Sequence, residues 1–302
     1  MKKIVHTLSL LTSLLALGAG ACSSTSGSTG TGGTSGGGGA GGAGNPFAGM
    51  GIPLIPTSTG FVDDRQNSGV YGPWYGYADS AGPAAGPTGT DATDFAHSSC
   101  NLGGFTLSQC STIMPTPGQP FPPDATGAMC GSGVGAIVIP GSNGQNDYSH
   151  LWGAGIAVDL NNAGLGDAGA PTGDGGAPSK GHFDLSKYKG IGFTFSGTMI
   201  PPGNKLRVNF PFDMEHQSPT GGDSPYWMGA SLDHSPLTNN DTVTIRWADV
   251  GGPYYLTQQS PPSVPPPFDP TTVQSIQFQV FTNASATTPF AFCVNNLTLL
   301  TE

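Results

Sequence analysis

The sequence predicts an all-β protein, an antiparallel β-sandwich of jelly-roll type, and three observations lead there. Its 302 residues include 49 Gly and 28 Pro, which interrupt the chain too often for long helices. Charged residues make up only 9%, so coiled coils and ion-paired helical surfaces are excluded. Apolar and polar residues alternate with period two in segment after segment, while helical period never lasts beyond one or two turns.

Taken in order, the chain opens as an export signal. Lys2 and Lys3 precede a mostly apolar run from Leu8 to Leu17, followed by Ala19, Gly20, Ala21 and Cys22. That run is too short to cross about 30 Å of hydrocarbon. The small-small-Cys ending resembles a bacterial lipobox, although Ala19 stands where Leu is usual. The resemblance implies a signal peptide over residues 1–21, cleavage before Cys22 and acylation of its sulfur, with an ordinary secretory signal as the alternative. A lipid-anchored protein of the bacterial outer membrane or cell surface is the expectation. Residues 23–44 contain only Ser, Thr, Gly and Ala and cannot bury enough area to offset backbone entropy. Residues 22–52 therefore read as a flexible tether with an average span of roughly 25 Å, and residues 53–302 as a single sandwich domain, expected to be monomeric.

Strands are expected at Gly135–Ile139, Leu151–Leu160, Ile191–Phe195, Lys205–Phe210, Thr242–Trp247, Ser275–Val280 and Phe290–Leu297. In the second of these, Trp152, Ala154, Ile156, Val158 and Leu160 share one side and Asp159 takes the other. Gly/Pro/Asn/Asp-rich connections such as 161–181 and 261–267 read as loops.

The formal net charge of -10 and the lack of any basic cluster after Lys3 remove the main driving force for phosphate-backbone binding, so nucleic acid is excluded as a partner. The same charge disfavours adsorption to anionic lipid headgroups, so membrane attachment would rest on the acyl chains.

Several segments in order carry a family likeness: Gly72-Pro73-Trp74-Tyr75-Gly76-Tyr77-Ala78-Asp79, Trp152-Gly153-Ala154-Gly155-Ile156, Phe183 through Phe193, Leu206-Arg207-Val208, Phe268-Asp269-Pro270, Ile276 through Val280, and the closing Phe290-Ala291-Phe292-Cys293-Val294-Asn295-Asn296-Leu297. Together they resemble galactose-binding-like jelly rolls, and more narrowly carbohydrate-binding modules of family 11 type, over about residues 60–300. The resemblance implies two antiparallel sheets, one of them concave, that bind β-glucan-like polysaccharide, often with a structural calcium ion. Asn295 stands where relatives usually place a calcium-ligating Asp. Its amide oxygen can coordinate but adds no charge. Asp63 and Asp64 would supply the remaining acids, or else form a solvated turn pair.

If the outward rows share one concave sheet, Asp159, Thr194, Arg207, Asn209, Gln277 and Gln279 line a polar groove suited to sugar hydroxyls, because amides and guanidinium form paired hydrogen bonds. The plain alternative is ordinary solvent-facing strand residues. Aromatic platforms for pyranose faces are sought in Tyr226 and Trp227, read as loop residues, and in Trp74-Tyr75, where Trp74 reads as core. Asp213 is expected at a groove end, in the one dense titratable group, with Glu215 and His216.

Catalysis is the competing class. Glycosidases of this architecture need two carboxyl groups, and Asp213 with Glu215 is the available pair, since the only other Glu is the terminal Glu302. Their spacing matches no glycosidase signature. No Gly-x-Ser-x-Gly occurs in a strand-turn-helix setting and no His-Glu-x-x-His occurs, and the loop residues His216 and His234 are the candidates for a metal pair. Four cysteines besides Cys22 imply two disulfides in an exported chain, with three possible pairings. Cys100–Cys110, in a Gly/Ser-rich hairpin-like stretch, and Cys130–Cys293 are favoured. The expected function is non-catalytic polysaccharide binding by a tethered surface protein. A secreted glycosidase using Asp213 and Glu215, or a non-binding scaffold, are the alternatives.

Overall fold

Two antiparallel sheets face each other across the apolar side chains that the alternating segments project. The computed structural model describes residues 44–82, 94–140, 144, 146–148, 150–162, 182–199, 206–212, 226–231, 240–251, 267–280, 282 and 286–302. These belong to one compact unit spanning residues 39–302. The strands are β1 (Gly51–Pro53), β2 (Phe61–Asp64), β3 (Val70–Ala78), β4 (Thr112–Met114), β5 (Met129–Gly135), β6 (Ala154–Asp159), β7 (Gly190–Met199), β8 (Leu206–Phe212), β9 (Tyr226–Ser231), β10 (Asp241–Arg246), β11 (Ser275–Val280) and β12 (Thr288–Leu300). The first sheet has the order β10-β7-β12-β5-β4, with β1 also paired to β12, and the second has the order β2-β3-β6-β11-β8-β9.

The core between the sheets is aromatic. Phe193 of β7 meets Phe278 of β11 edge to face at 5.0 Å, and Trp74 of β3 stacks on the same ring at 5.9 Å. Both contacts link sequence-distant strands, and Trp74 is core as its position in the alternation requires. Each fully buried Phe or Leu contributes roughly 1.5–3 kcal/mol. Phe47 is buried over Gly192, where a side chain would collide with its ring, so ordered chain starts upstream of the expected boundary at residue 53.

Several expectations require correction. The strand expected at Gly135–Ile139 lies earlier, over Met129–Gly135, in a glycine-rich segment whose Gly131 leaves room for Ile156 of the other sheet. Ala136 and Val138 instead enter a small satellite core with Cys100, Cys110 and Leu151. The hairpin-like reading of residues 100–110 also fails. This stretch holds a short helix, α1 (Ser99–Leu102), capped by the Ser98 hydroxyl, and a 3₁₀ turn over Leu107–Gln109. Both favoured disulfides, Cys100–Cys110 and Cys130–Cys293, are present. Finally, Trp152 precedes β6 and does not share the inner face with Ala154. Gly153, at φ 120°, turns the chain between them and reverses the parity.

Candidate functional site

Register on the second sheet sets the site. Tyr75, Ala157, Gln277, Asn209 and Gly229 lie side by side across β3, β6, β11, β8 and β9, and the next row is Tyr77, Gly155, Gln279 and Arg207. Asp159 opposes Ser275 in the row on the other side of the first. Because facing residues of paired strands point to the same side, five of the six expected groove residues share the outer face of this sheet. Thr194 does not join them. It lies on β7 of the first sheet, where its hydroxyl accepts a hydrogen bond from Asn296 Nδ2 at 3.2 Å.

The polar row is a floor, not an open lining. Asp159, Asn209, Gln277 and Gln279 are only 4–7% exposed, and the three amides are bonded within the protein. Asn209 Nδ2 donates to Gln279 Oε1 at 2.8 Å, Gln279 Nε2 donates to the Trp152 carbonyl at 2.9 Å, and Gln277 Nε2 reaches Ser275 Oγ at 3.3 Å. Burial of an amide is tolerated only when its donors and acceptors are matched, and this ladder matches them. Gly229 completes it, since a side chain there would strike the Asn209 amide.

At one end of the floor stand the half-buried rings of Tyr77 and Trp152, with the buried ring of Tyr75 beside them. Tyr77 and Trp152 stack with centroids 5.8 Å apart and planes 22° from parallel, and Tyr75 is tilted against Tyr77 at 6.4 Å. Arg207, also half-buried, occupies the same row as Tyr77 two strands beyond Gly155 and Gln279. The Tyr77 hydroxyl lies above Gly155, where a Cβ would approach it to 2.9 Å, and it has no hydrogen-bond partner in the protein. Burial, with Tyr75 adding to it and Arg207 opposing it, holds this phenol well above its ordinary pKa, so it remains a donor at neutral pH.

Behind the rings sits a buried carboxylate. Asp79 accepts from the Ser111 N–H at 2.6 Å, the Ser111 hydroxyl at 2.8 Å and the Gly153 N–H at 2.9 Å, and its own N–H donates to the Gly153 carbonyl at 3.0 Å. Burial raises its pKa to about 6, outweighing the Gly153 and Ser111 donors that favour the charged form. Ser99 of α1 accepts the Trp152 indole N–H at 2.7 Å.

Sequence reasoning missed Tyr77, Asp79, Ser99 and the outward turn of Trp152. The signal for Tyr77 was available. Gly72, Trp74, Gly76 and Ala78 form the inward set of β3, which leaves Tyr75 and Tyr77 on the outside. Tyr226 and Trp227 lie on β9, where Trp227 pairs with Pro211, and not in a loop. Asp213, Glu215, His216 and His234 lie outside the described residues.

The calcium expectation does not fit the residues present. Asp63 is held by Arg65 at 2.9 and 3.2 Å, and that guanidinium lies 4.4 Å above the Tyr71 ring. Asp64 is committed to the turn it caps, accepting from Asn67 Nδ2 at 2.7 Å and the Ser68 N–H at 3.0 Å. Asn295 belongs to β12 in the first sheet, and its side-chain oxygen takes the Asn296 N–H at 2.7 Å. Among the described residues, the clusters with metal-ligand spacing contain disulfide-bonded cysteines, which offer no thiolate.

No family model and no curated protein matches the chain. Among solved structures, the family 11 carbohydrate-binding module from Clostridium thermocellum in complex with a β-1,3-1,4-mixed-linked tetrasaccharide is similar at 14% identity. That match covers 82% of this chain and 96% of the module, with a TM-score of 0.35. The solution structure of CtCBM11 matches at 12% identity over 84% of this chain and 97% of its own, with a TM-score of 0.36. A family 30 carbohydrate-binding module matches at 15% identity, 49% and 68% coverage and a TM-score of 0.28. At these scores the likeness bears on neither a ligand nor the residues that would hold one.

Proposed function

We propose that the Tyr77–Trp152 end of the second sheet's outer face binds an uncharged polysaccharide, without catalysis. The observation that carries this reading is the Tyr77 hydroxyl, enclosed beside an aromatic stack and left without a protein partner. A buried hydroxyl with no partner costs about 1–3 kcal/mol, and a sugar hydroxyl brings the missing acceptor. The half-buried rings offer a flat apolar surface to a pyranose face, Arg207 adds donors that need no protonation change, and the amide floor keeps the rings apart from the core.

The test is affinity gel electrophoresis against mixed-linkage β-glucan, xylan, mannan and peptidoglycan fragments. Retardation by at least one polymer is expected, weakened about 5- to 10-fold by Tyr77→Phe and more by Trp152→Ala. If no polymer retards the wild type, the binding reading fails and the scaffold alternative takes its place. Incubation with the same polymers is expected to release no reducing sugar, and release abolished by Glu215→Gln would establish the glycosidase instead.

The tethered, lipid-anchored location belongs to the same proposal and is supported by the Lys2-Lys3 start, the short apolar run and the Ala19-Gly20-Ala21-Cys22 ending. Labelling with radioactive palmitate in a bacterial host should mark the wild type and spare Cys22→Ser. Unlabelled wild type would leave an ordinary secreted protein.

A further inference from the structure

We infer that Ser99 is the positioning residue of the Trp152 platform, and that the Cys100–Cys110 bridge governs ligand binding through it. This rests on the glycan reading above for its ligand, but not for its geometry.

The main chain and the ring of Trp152 are held by different parts of the molecule. Its main chain is gripped from the second sheet and its neighbours. Gln279 Nε2 binds the Trp152 carbonyl at 2.9 Å, the Thr282 hydroxyl binds the Leu151 carbonyl at 2.7 Å, and Asp79 binds the Gly153 N–H at 2.9 Å. The indole ring touches none of these groups through a hydrogen bond. Its one polar contact is the Nε1–H donated to Ser99 Oγ at 2.7 Å, and Ser99 in turn reaches the His150 carbonyl at 3.3 Å and the Asp79 carbonyl at 3.4 Å. Ser99 therefore sets the ring angle at which Trp152 stacks on Tyr77.

Ser99 is held from two sides, by the neighbouring Cys100 N–H donated to the Asp79 carbonyl at 3.0 Å and by the cross-link. Helix α1 has four residues, far below the length at which a helix persists by itself. The satellite core beside it consists of Ala136, Val138 and Leu151 with the two cysteines, flanked by the partly buried Phe95, Phe105 and Ile139, a small cluster that the cross-link closes covalently. Cys100, next in the chain to Ser99, is bonded to Cys110, and Cys110 leads directly into Ser111 of the Asp79 knot. An Asp79 carboxylate oxygen and both sulfurs lie within 4.8 Å of one another. The path thus runs by hydrogen bonds from the sheet-anchored Asp79 to Ser111, covalently through Cys110 and Cys100 to Ser99, and from there by one hydrogen bond to the platform.

The experiment compares wild type, Ser99→Ala, Ser99→Thr and the double variant Cys100→Ala/Cys110→Ala. Two readouts are used: retardation by whichever of the four polymers slows the wild type most, and the near-UV circular dichroism assigned to Trp152 by difference from Trp152→Phe. Ser99→Ala is expected to lose most of the Trp152 signal and to bind about 5- to 10-fold more weakly. Ser99→Thr, which keeps the acceptor oxygen, should restore both. The double variant should match Ser99→Ala while keeping the far-UV spectrum and a cooperative melt. If it does not fold, the Trp152 signal of the wild type after mild reduction and alkylation of the short bridge takes its place, and an unchanged signal in either overturns the role of the bridge. An unchanged Trp152 signal in Ser99→Ala overturns the inference whether or not any polymer binds. Failure of the wild type to bind any polymer, with the Trp152 signal lost in Ser99→Ala and restored in Ser99→Thr, would remove the glycan reading and leave the positioning role in place.

Discussion

Cys130–Cys293 and Cys100–Cys110 are cross-links of opposite design. The first closes 163 residues of chain and joins β5 to β12, strands already paired along seven register positions, so locally it adds little that backbone hydrogen bonds do not supply. It lines a shallow groove of about 320 Å³ on the first sheet with Ser132, Ser196, Gly197, Ala291 and Phe292. The second closes only 10 residues and ties together short helical turns outside both sheets, next to the platform. A cross-link stabilises according to the freedom it removes from the unfolded chain, whereas its influence on a site depends on how few other constraints act there. The long bridge should therefore control stability and the short one geometry.

The largest effect expected is on the long bridge. In the chain-entropy picture, a closed loop of this length contributes about 5 kcal/mol and a ten-residue loop about 3 kcal/mol. Cys130→Ala/Cys293→Ala should lower the denaturant midpoint more than Cys100→Ala/Cys110→Ala does, yet leave ligand affinity at 25 °C unchanged wherever the protein is folded. Urea unfolding with binding measured on the same samples checks this. A loss of affinity from the long bridge, or a larger stability loss from the short one, would break the contrast.

Asp79 sharpens the comparison through pH. Its pKa is raised from its ordinary 3.8 to about 6 by burial, so between those values the folded state binds more protons than the unfolded chain. Stability from this group is then fully present below about pH 4 and lost as pH rises through 6, by at most about 3 kcal/mol. Exposed Asp94 and Asp184, held below their ordinary values chiefly by hydrogen bonds from His97 and Ser186, act in the opposite sense at lower pH. The discriminating quantity is hence the difference between wild type and Asp79→Asn. From pH 7 to pH 5 the wild type should gain melting temperature relative to the variant. A difference independent of pH would mean that Asp79 stays ionised throughout.

These contrasts also show what the sequence could carry. Alternation located the strands of the main core well because burial on one face enforces period two, as in Ser275–Val280, where expected and observed bounds coincide. It separated inner from outer residues but could not tell one outer face from the other. Thr194 and Gln279 look alike in their strands, and only the strand order sends them to different sheets. It also could not see that Gln279 and Asn209 would satisfy each other and become floor. The parity reversal at Gly153 was invisible because a glycine inside an alternating run reads as a small apolar residue. The satellite turns around Cys100 escaped altogether, being held by a covalent bond, a serine cap and a buried carboxylate, none of which has a period.

The smallest expected effect comes from the first sheet's outer face. Alternation alone groups Thr194 with the groove, yet its hydroxyl serves Asn296, which sits at φ 54° in the bulged part of β12. Thr194→Ala removes one acceptor from a half-buried pair and should cost about 1 kcal/mol of stability, with a change in polymer affinity below 2-fold. Thr194→Val keeps the branched shape for the strand and separates the hydroxyl from packing, so the two variants should differ in stability but not in binding. Isothermal titration with the polymer that retards the wild type gives the affinity. A 10-fold loss in either variant would place the binding surface on the first sheet and dissolve the distinction between the two faces.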